Sequence, residues 1–167
     1  MTLTEDTPGT KAPRSDDPAI IEMLAKAYWM EIETVMNYLA NSINPDGVLA
    51  QQVAASLRDE VQDELDHARR FGERIKELYG VVPTSEDFRP EQDFLAPPAE
   101  QTDVVHVIKG VIQAESEAVK YYREIVDRTE HADPVTNDMV IEILHDEQRH
   151  RRLFEGFLRE YEAERRN

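Results

Sequence analysis

One short pattern occurs twice in the chain, and this repeat constrains the fold more than any other feature. Asp63-Glu64-Leu65-Asp66-His67-Ala68-Arg69 and Asp146-Glu147-Gln148-Arg149-His150-Arg151-Arg152 both read D-E-x-x-H-x-R. Residues three apart share a helix face, so in each copy the Glu and the His can grip the same ion. A second repeat lies upstream of each copy. Glu31 is followed by Tyr38 and Glu115 by Tyr122, an interval of two helical turns that keeps each pair on one face. Glu31 precedes Glu64 by 33 residues and Glu115 precedes Glu147 by 32, so two hairpins of matched build would each level a lone Glu with a Glu-His pair.

Helix breakers divide the chain accordingly. Asp17 before Pro18 is a helix start, since Asp accepts from first-turn N–H groups and Pro has no N–H to leave unpaired. The first helix is expected to reach about Ser42, where Asn44-Pro45-Asp46-Gly47 supplies a turn. The second resumes at Val48 and Leu49 and runs through Leu78, with Gly80 as a left-handed stop. Val81 to Glu100 contains Pro83, Pro90, Pro97 and Pro98 and reads as a long crossover loop. A third helix spans about Thr102 to Thr129, and Asp133-Pro134 starts a fourth that reaches roughly Arg165. Residues 1–16, rich in Thr, Pro and Asp, read as a flexible tail, leaving 17–167 as one domain. Short turns make each pair of helices an antiparallel hairpin, and the long connection lets the third helix start at either end. The class is all-α, an antiparallel four-helix bundle with one long crossover.

Composition narrows the chemistry. A formal net charge of -16, from 19 basic and 35 acidic residues, repels phosphate backbones and argues against a nucleic-acid partner. With no Cys, thiolate-bound iron, zinc knuckles and disulfides are excluded, so any metal sits on oxygen and nitrogen. No run approaches the roughly 20 apolar residues of a membrane span and no signal-type apolar core opens the chain, so the cytoplasm is the expected compartment.

The expected site is a di-metal cluster. Glu31, Glu64, Glu115 and Glu147 would cancel the four positive charges of two divalent ions, and His67 and His150 would add nitrogen ligands suited to iron. Glu64 and Glu147 are the natural bridges; Glu31 with His67, and Glu115 with His150, would be terminal on one metal each. Asp63 and Asp146 are placed to accept the outer imidazole N–H of the facing hairpin's histidine. Tyr38 and Tyr122 read either as core aromatics with satisfied hydroxyls or as hydrogen-bond donors to ligand carboxylates that supply an electron. Glu33 and Glu117 lie about 200° around the helix from Glu31 and Glu115, a solvated outer face. His106 and His145 read as surface residues and His131 as part of a turn, while Trp29, Met30 and Met36 read as packing.

Across roughly Asp17 to Glu164 the chain resembles the ferritin-like superfamily, bacterioferritin most closely. The stretch from Asp138 through Glu142 and Asp146 to His150 is similar to the bacterioferritin ferroxidase helix almost residue for residue. The resemblance implies two iron ions on the six residues named, and oxidation of Fe(II) by O2 or H2O2 in iron homeostasis or oxidative-stress defence. Bacterioferritin places a haem-ligating Met where this chain has Leu65, which argues against haem. The chain ends at Asn167 without the short fifth helix that lines the channels of the 24-subunit cage, so a homodimer is expected over a cage. Rubrerythrins share the paired E-x-x-H but carry a further Glu where Ala118 stands, and a Cys-bound iron domain. Three alternatives stay open: a non-catalytic metal-binding bundle, a di-metal peroxidase or catalase using Fe or Mn, and an oxygenase acting on another substrate; as ions, Mn and Zn are the substitutes for Fe that the same ligands admit.

Overall fold

The computed structural model describes residues 17–164; the expected tail, residues 1–16, lies outside them. Among the described residues there are four α-helices, one 3₁₀ turn and no strand. The helices are α1 (Pro18–Asn41), α2 (Ala50–Glu77), α3 (Val104–Thr129) and α4 (Pro134–Glu164), with the 3₁₀ turn at Asp93–Leu95 inside the crossover. Each bound within the described residues falls within about two residues of its expected place, and the expected end of the fourth helix near Arg165 lies outside them. Three starts are capped by aspartate: Asp17 accepts from Ala19 N at 3.0 Å, Asp103 from His106 N at 3.2 Å and Asp133 from Thr136 N at 3.1 Å.

The end of α2 departs from expectation. Tyr79, not Gly80, takes the left-handed conformation, with φ 65°. Tyr79 N donates to Lys76 O and Gly80 N to Ile75 O, the paired bonds of a Schellman stop. Gly80 is needed for room: a Cβ there would sit 2.9 Å from side-chain carbons of both Ile21 and Ile75.

Short turns fold α1 on α2 and α3 on α4, and α1 also lies along α3. Asp46 N bonds to Gln101 O, so α3 begins at the end of the bundle where α1 stops. The crossover has therefore travelled the bundle's length, making α3 antiparallel to α1 and parallel to α2. It is pressed close to α3: a Cβ on Gly110 would stand 2.7 Å from Phe94 O. Two apolar clusters fill the ends of the interior. One contains Leu57, Ile108 and Phe154, the other Leu24, Phe71 and Ile143. Between them the interior is polar.

Candidate metal centre

The residues singled out by the repeat meet in that polar layer. Glu31, Glu64, His67, Glu115, Glu147 and His150 are all buried. They stand on the same inward stripes as the core: Glu64 and His67 fall between Leu57 and Phe71 along α2, and Glu147 and His150 between Ile143 and Phe154 along α4. The packing that buries the stripe thus carries the polar groups inside.

One donor atom from each of Glu31, Glu64, His67 and Glu147 lies within 4.8 Å of the others, and the same holds for Glu64, Glu115, Glu147 and His150. The groups overlap at Glu64 and Glu147, and each takes three residues from one hairpin and one from the other. His67 Nδ1 lies 2.9 Å from Glu147 Oε1 and 3.2 Å from Glu64 Oε2, while His150 Nδ1 lies 3.3 Å from Glu64 Oε1. The outer ring nitrogens face across the bundle. His67 Nε2 is 3.6 Å from Asp146 and His150 Nε2 is 3.4 Å from Asp63. Arg149 reaches toward both aspartates, 3.5 Å from Asp63 and 3.3 Å from Asp146. The tyrosines cross over as well: the Tyr38 hydroxyl donates to Glu115 and the Tyr122 hydroxyl to Glu31.

Burial and mutual repulsion govern the charges. Burial first, and then the Glu64 charge, push Glu31 and Glu147 well above the usual carboxylate range and Glu115 up to about 8. Burial pushes Glu64 the same way, but contacts from His150, His67 and Glu31 prevail and hold it at about 2. For His150, burial opposes the charged form, yet Glu60 and Glu64 raise it to about 11. Burial, followed by Glu115 for Tyr38 and Glu31 for Tyr122, keeps both phenols protonated as donors.

The donor set fits cations. Glu60 Oε2, Glu64 Oε1, Glu115 Oε2 and Glu147 Oε1 are buried with no well-formed hydrogen bond, and their nearest polar neighbours are the two histidines and one another. Buried carboxylate oxygens without hydrogen bonds are costly, and these converge on one layer, whereas Asn41 Oδ1, also unsatisfied, lies apart at the end of α1. Two divalent ions on the two overlapping groups would satisfy Glu64, Glu115 and Glu147, on oxygen and nitrogen ligands alone.

Three further placements concern neighbouring residues. Glu60, one helical turn before Glu64 on the same face of α2, is buried with Oε2 2.8 Å from His150 Nδ1. Its spacing was the available signal, and sequence reading passed over it. Glu33 does not sit on a solvated face: the crossover covers it, and its carboxylate accepts from Glu91 N at 2.9 Å and Gln92 N at 2.8 Å. Glu117, His106, His131 and His145 are exposed, as expected, and so is Met36, which was expected to pack. Arg69, the trailing Arg of the first motif copy, pairs with Asp66 and Glu73 at the surface, away from the centre.

Comparison with known proteins follows the same lines. The chain is 29% identical over 147 residues to the DNA protection during starvation protein of Pyrococcus furiosus, covering 86% of this chain and 78% of that one. It is 29% identical over 137 residues to the bacterioferritin of Desulfovibrio desulfuricans, covering 82% and 73%. The fold is shared with a dodecameric thioferritin, a bacterioferritin-related protein of Bacteroides fragilis, at TM-score 0.82 and 24% identity over 89% of each chain. The ferritin-like domain profile matches residues 21–163. Since that match runs from the first turn of α1 to the last of α4, the chain belongs to the ferritin-like domain family.

Proposed function

We propose that the protein is a di-iron oxidoreductase of ferroxidase type, which oxidises Fe(II) with O2 or H2O2 in the cytoplasm as part of iron homeostasis and oxidative-stress defence. The observation that carries this reading is the pair of overlapping buried donor groups sharing Glu64 and Glu147, with lone pairs left unpaired. The names of two relatives, a bacterioferritin and a DNA protection during starvation protein, point the same way.

Glu31, Glu64, His67, Glu115, Glu147 and His150 would hold the ions, with Glu64 and Glu147 as bridges. When bound, iron supplies reversible one-electron oxidation at each ion. The chain supplies the rest. Four carboxylates balance the charge, and the raised values of Glu31, Glu115 and Glu147 mean that loading displaces their protons. Asp63 and Asp146 orient the imidazoles from across the bundle. Tyr38 and Tyr122 fix Glu115 and Glu31, and each phenol stands where its proton can pass to that carboxylate as an electron leaves. Leu65, half exposed on α2, offers no lone pair to a haem iron, and none is expected.

The protein is read as a homo-oligomer. Met36 and Leu39 on α1 and Ile43 in the turn after it expose apolar side chains, and one structural neighbour is named as a dodecamer. Light scattering on the purified protein distinguishes a dimer from a dodecamer or larger cage. Anaerobic loading with Fe(II), followed by O2 or by H2O2, is expected to develop near-ultraviolet diferric absorbance at a rate that identifies the oxidant. Iron bound with a flat trace would instead support a bundle whose ions only hold the hairpins together.

A further inference from the structure

The seam between α1 and α3 is divided in two. On the outside lies a cavity of about 640 Å³, walled in part by Trp29, Lys26 and Tyr121. On the inside is a residual void of about 10 Å³ bordered by Glu31, Glu115, Glu147 and both buried tyrosines, room for about one water molecule. Met30 and Gln92 border both spaces. The cavity therefore stands one residue layer from the metal centre.

The seam is closed by Met30 from α1 and by a residue that the crossover inserts. On the α3 side the void is bordered by Ala114 and Ala118, whose small side chains cannot fill it, and on the α1 side by Thr34. Gln92 is inserted there from the loop and is almost fully buried. Its backbone N–H is held by Glu33 at 2.8 Å, its Nε2 donates to Thr34 Oγ1 at 2.8 Å and Met30 O at 3.3 Å, and its Oε1 accepts from Asn37 at 3.1 Å. An amide held by a few neutral hydrogen bonds, each contributing about 0.5–1.5 kcal/mol net, fills the seam without locking it.

We propose that Gln92 is a specificity-determining plug, which lets O2 and H2O2 pass from the outer cavity to the metal centre and excludes bulkier organic hydroperoxides. The proposal rests on the di-iron reading. The reaction it filters balances simply: a hydroperoxide ROOH takes two electrons from a pair of Fe(II) ions and two protons, its O–O bond breaks, and ROH and water leave. With R a hydrogen atom the molecule passes; with R a tert-butyl group it stalls at Gln92.

The test compares wild type, Gln92→Ala, which empties the seam, and Gln92→Leu, which fills a similar volume without the hydrogen bonds. Each is assembled natively, loaded anaerobically with Fe(II), and mixed with H2O2 or tert-butyl hydroperoxide. H2O2 rates should agree within about two-fold throughout, while Gln92→Ala should accelerate tert-butyl hydroperoxide about ten-fold or more and Gln92→Leu should not. In parallel, Co(II) replaces iron, and its visible bands report binding of formate and of benzoate; benzoate should bind appreciably faster only to Gln92→Ala. Equal discrimination in all three proteins, or the same relaxation in both variants, would show that Gln92 only anchors the loop and overturns the proposal. If Co(II) follows the expected pattern but neither oxidant reacts, the plug stands and the ferroxidase reading falls. Failure of Co(II) to bind overturns both.

Discussion

Glu64 and Glu147 enter both donor groups, whereas Glu31 and Glu115 enter one each. Substitution by the neutral amide should therefore divide into two outcomes. Glu115→Gln should weaken one of two ions and leave the other, while Glu64→Gln should weaken both, as read by calorimetric titration with Fe(II) or Co(II) and metal analysis. Asp146→Asn, which touches no ion, should lower affinity by about 10–100-fold through loss of imidazole orientation. The raised carboxylates fix a pH dependence. A group whose folded pKa exceeds its unfolded value favours folding most at low pH and loses that contribution as pH rises through the folded pKa. For Glu115 the window runs from the ordinary value of 4.5 to about 8. His150, raised to about 11, acts in the same sense above its ordinary 6.5. Metal-free protein should thus melt at a higher temperature near about pH 5 than near about pH 8, and bound metal should flatten or reverse the trend while loading releases protons. The six central residues were legible in the sequence because intervals of three and seven are helical intervals. Glu60 obeyed the same arithmetic and went unread for want of a partner motif, since its contact with His150 crosses hairpins.

Helix bounds were legible for a related reason: Asp17 and Asp133 act on the residues next to them, while Asp103, which caps α3, follows the start expected at Thr102. The crossover was not, beyond its prolines. Glu33 meets Gln92 across 59 residues of sequence, and no local periodicity reports a contact of that range. Its position on α1 spoke for solvent, and only the path of the loop makes it buried. The stop of α2 shows the same limit. Gly80 announced a turn correctly, but its requirement is space against Ile21 and Ile75, while Tyr79 bears the unusual backbone. Gly80→Ala should accordingly lower stability by about 1–3 kcal/mol through overpacking, read as a drop in denaturant midpoint with an unchanged slope.

At the scale of the molecule, no helix among the described residues is long and apolar enough to cross a membrane. The bundle instead encloses its most polar layer between two apolar ends. Cations held only by the assembled layer would stabilise the folded state, so saturating Co(II) should raise the melting temperature by about 10 °C or more, as calorimetry would show. The chain's two halves repeat each other, yet each donor group borrows one carboxylate from the opposite half. Mechanically, the ions would act as a pair of rivets driven from opposite sides through both plates. A metal-free chain would hold its hairpins together mainly by the apolar clusters, whereas a loaded one would have to break the ion ligands of both hairpins as well. Loss of the ions would then do more than idle the site: it would leave the two apolar clusters as the main join between the hairpins, with a layer of repelling carboxylates between them, exposing starved protein to proteases first at that layer.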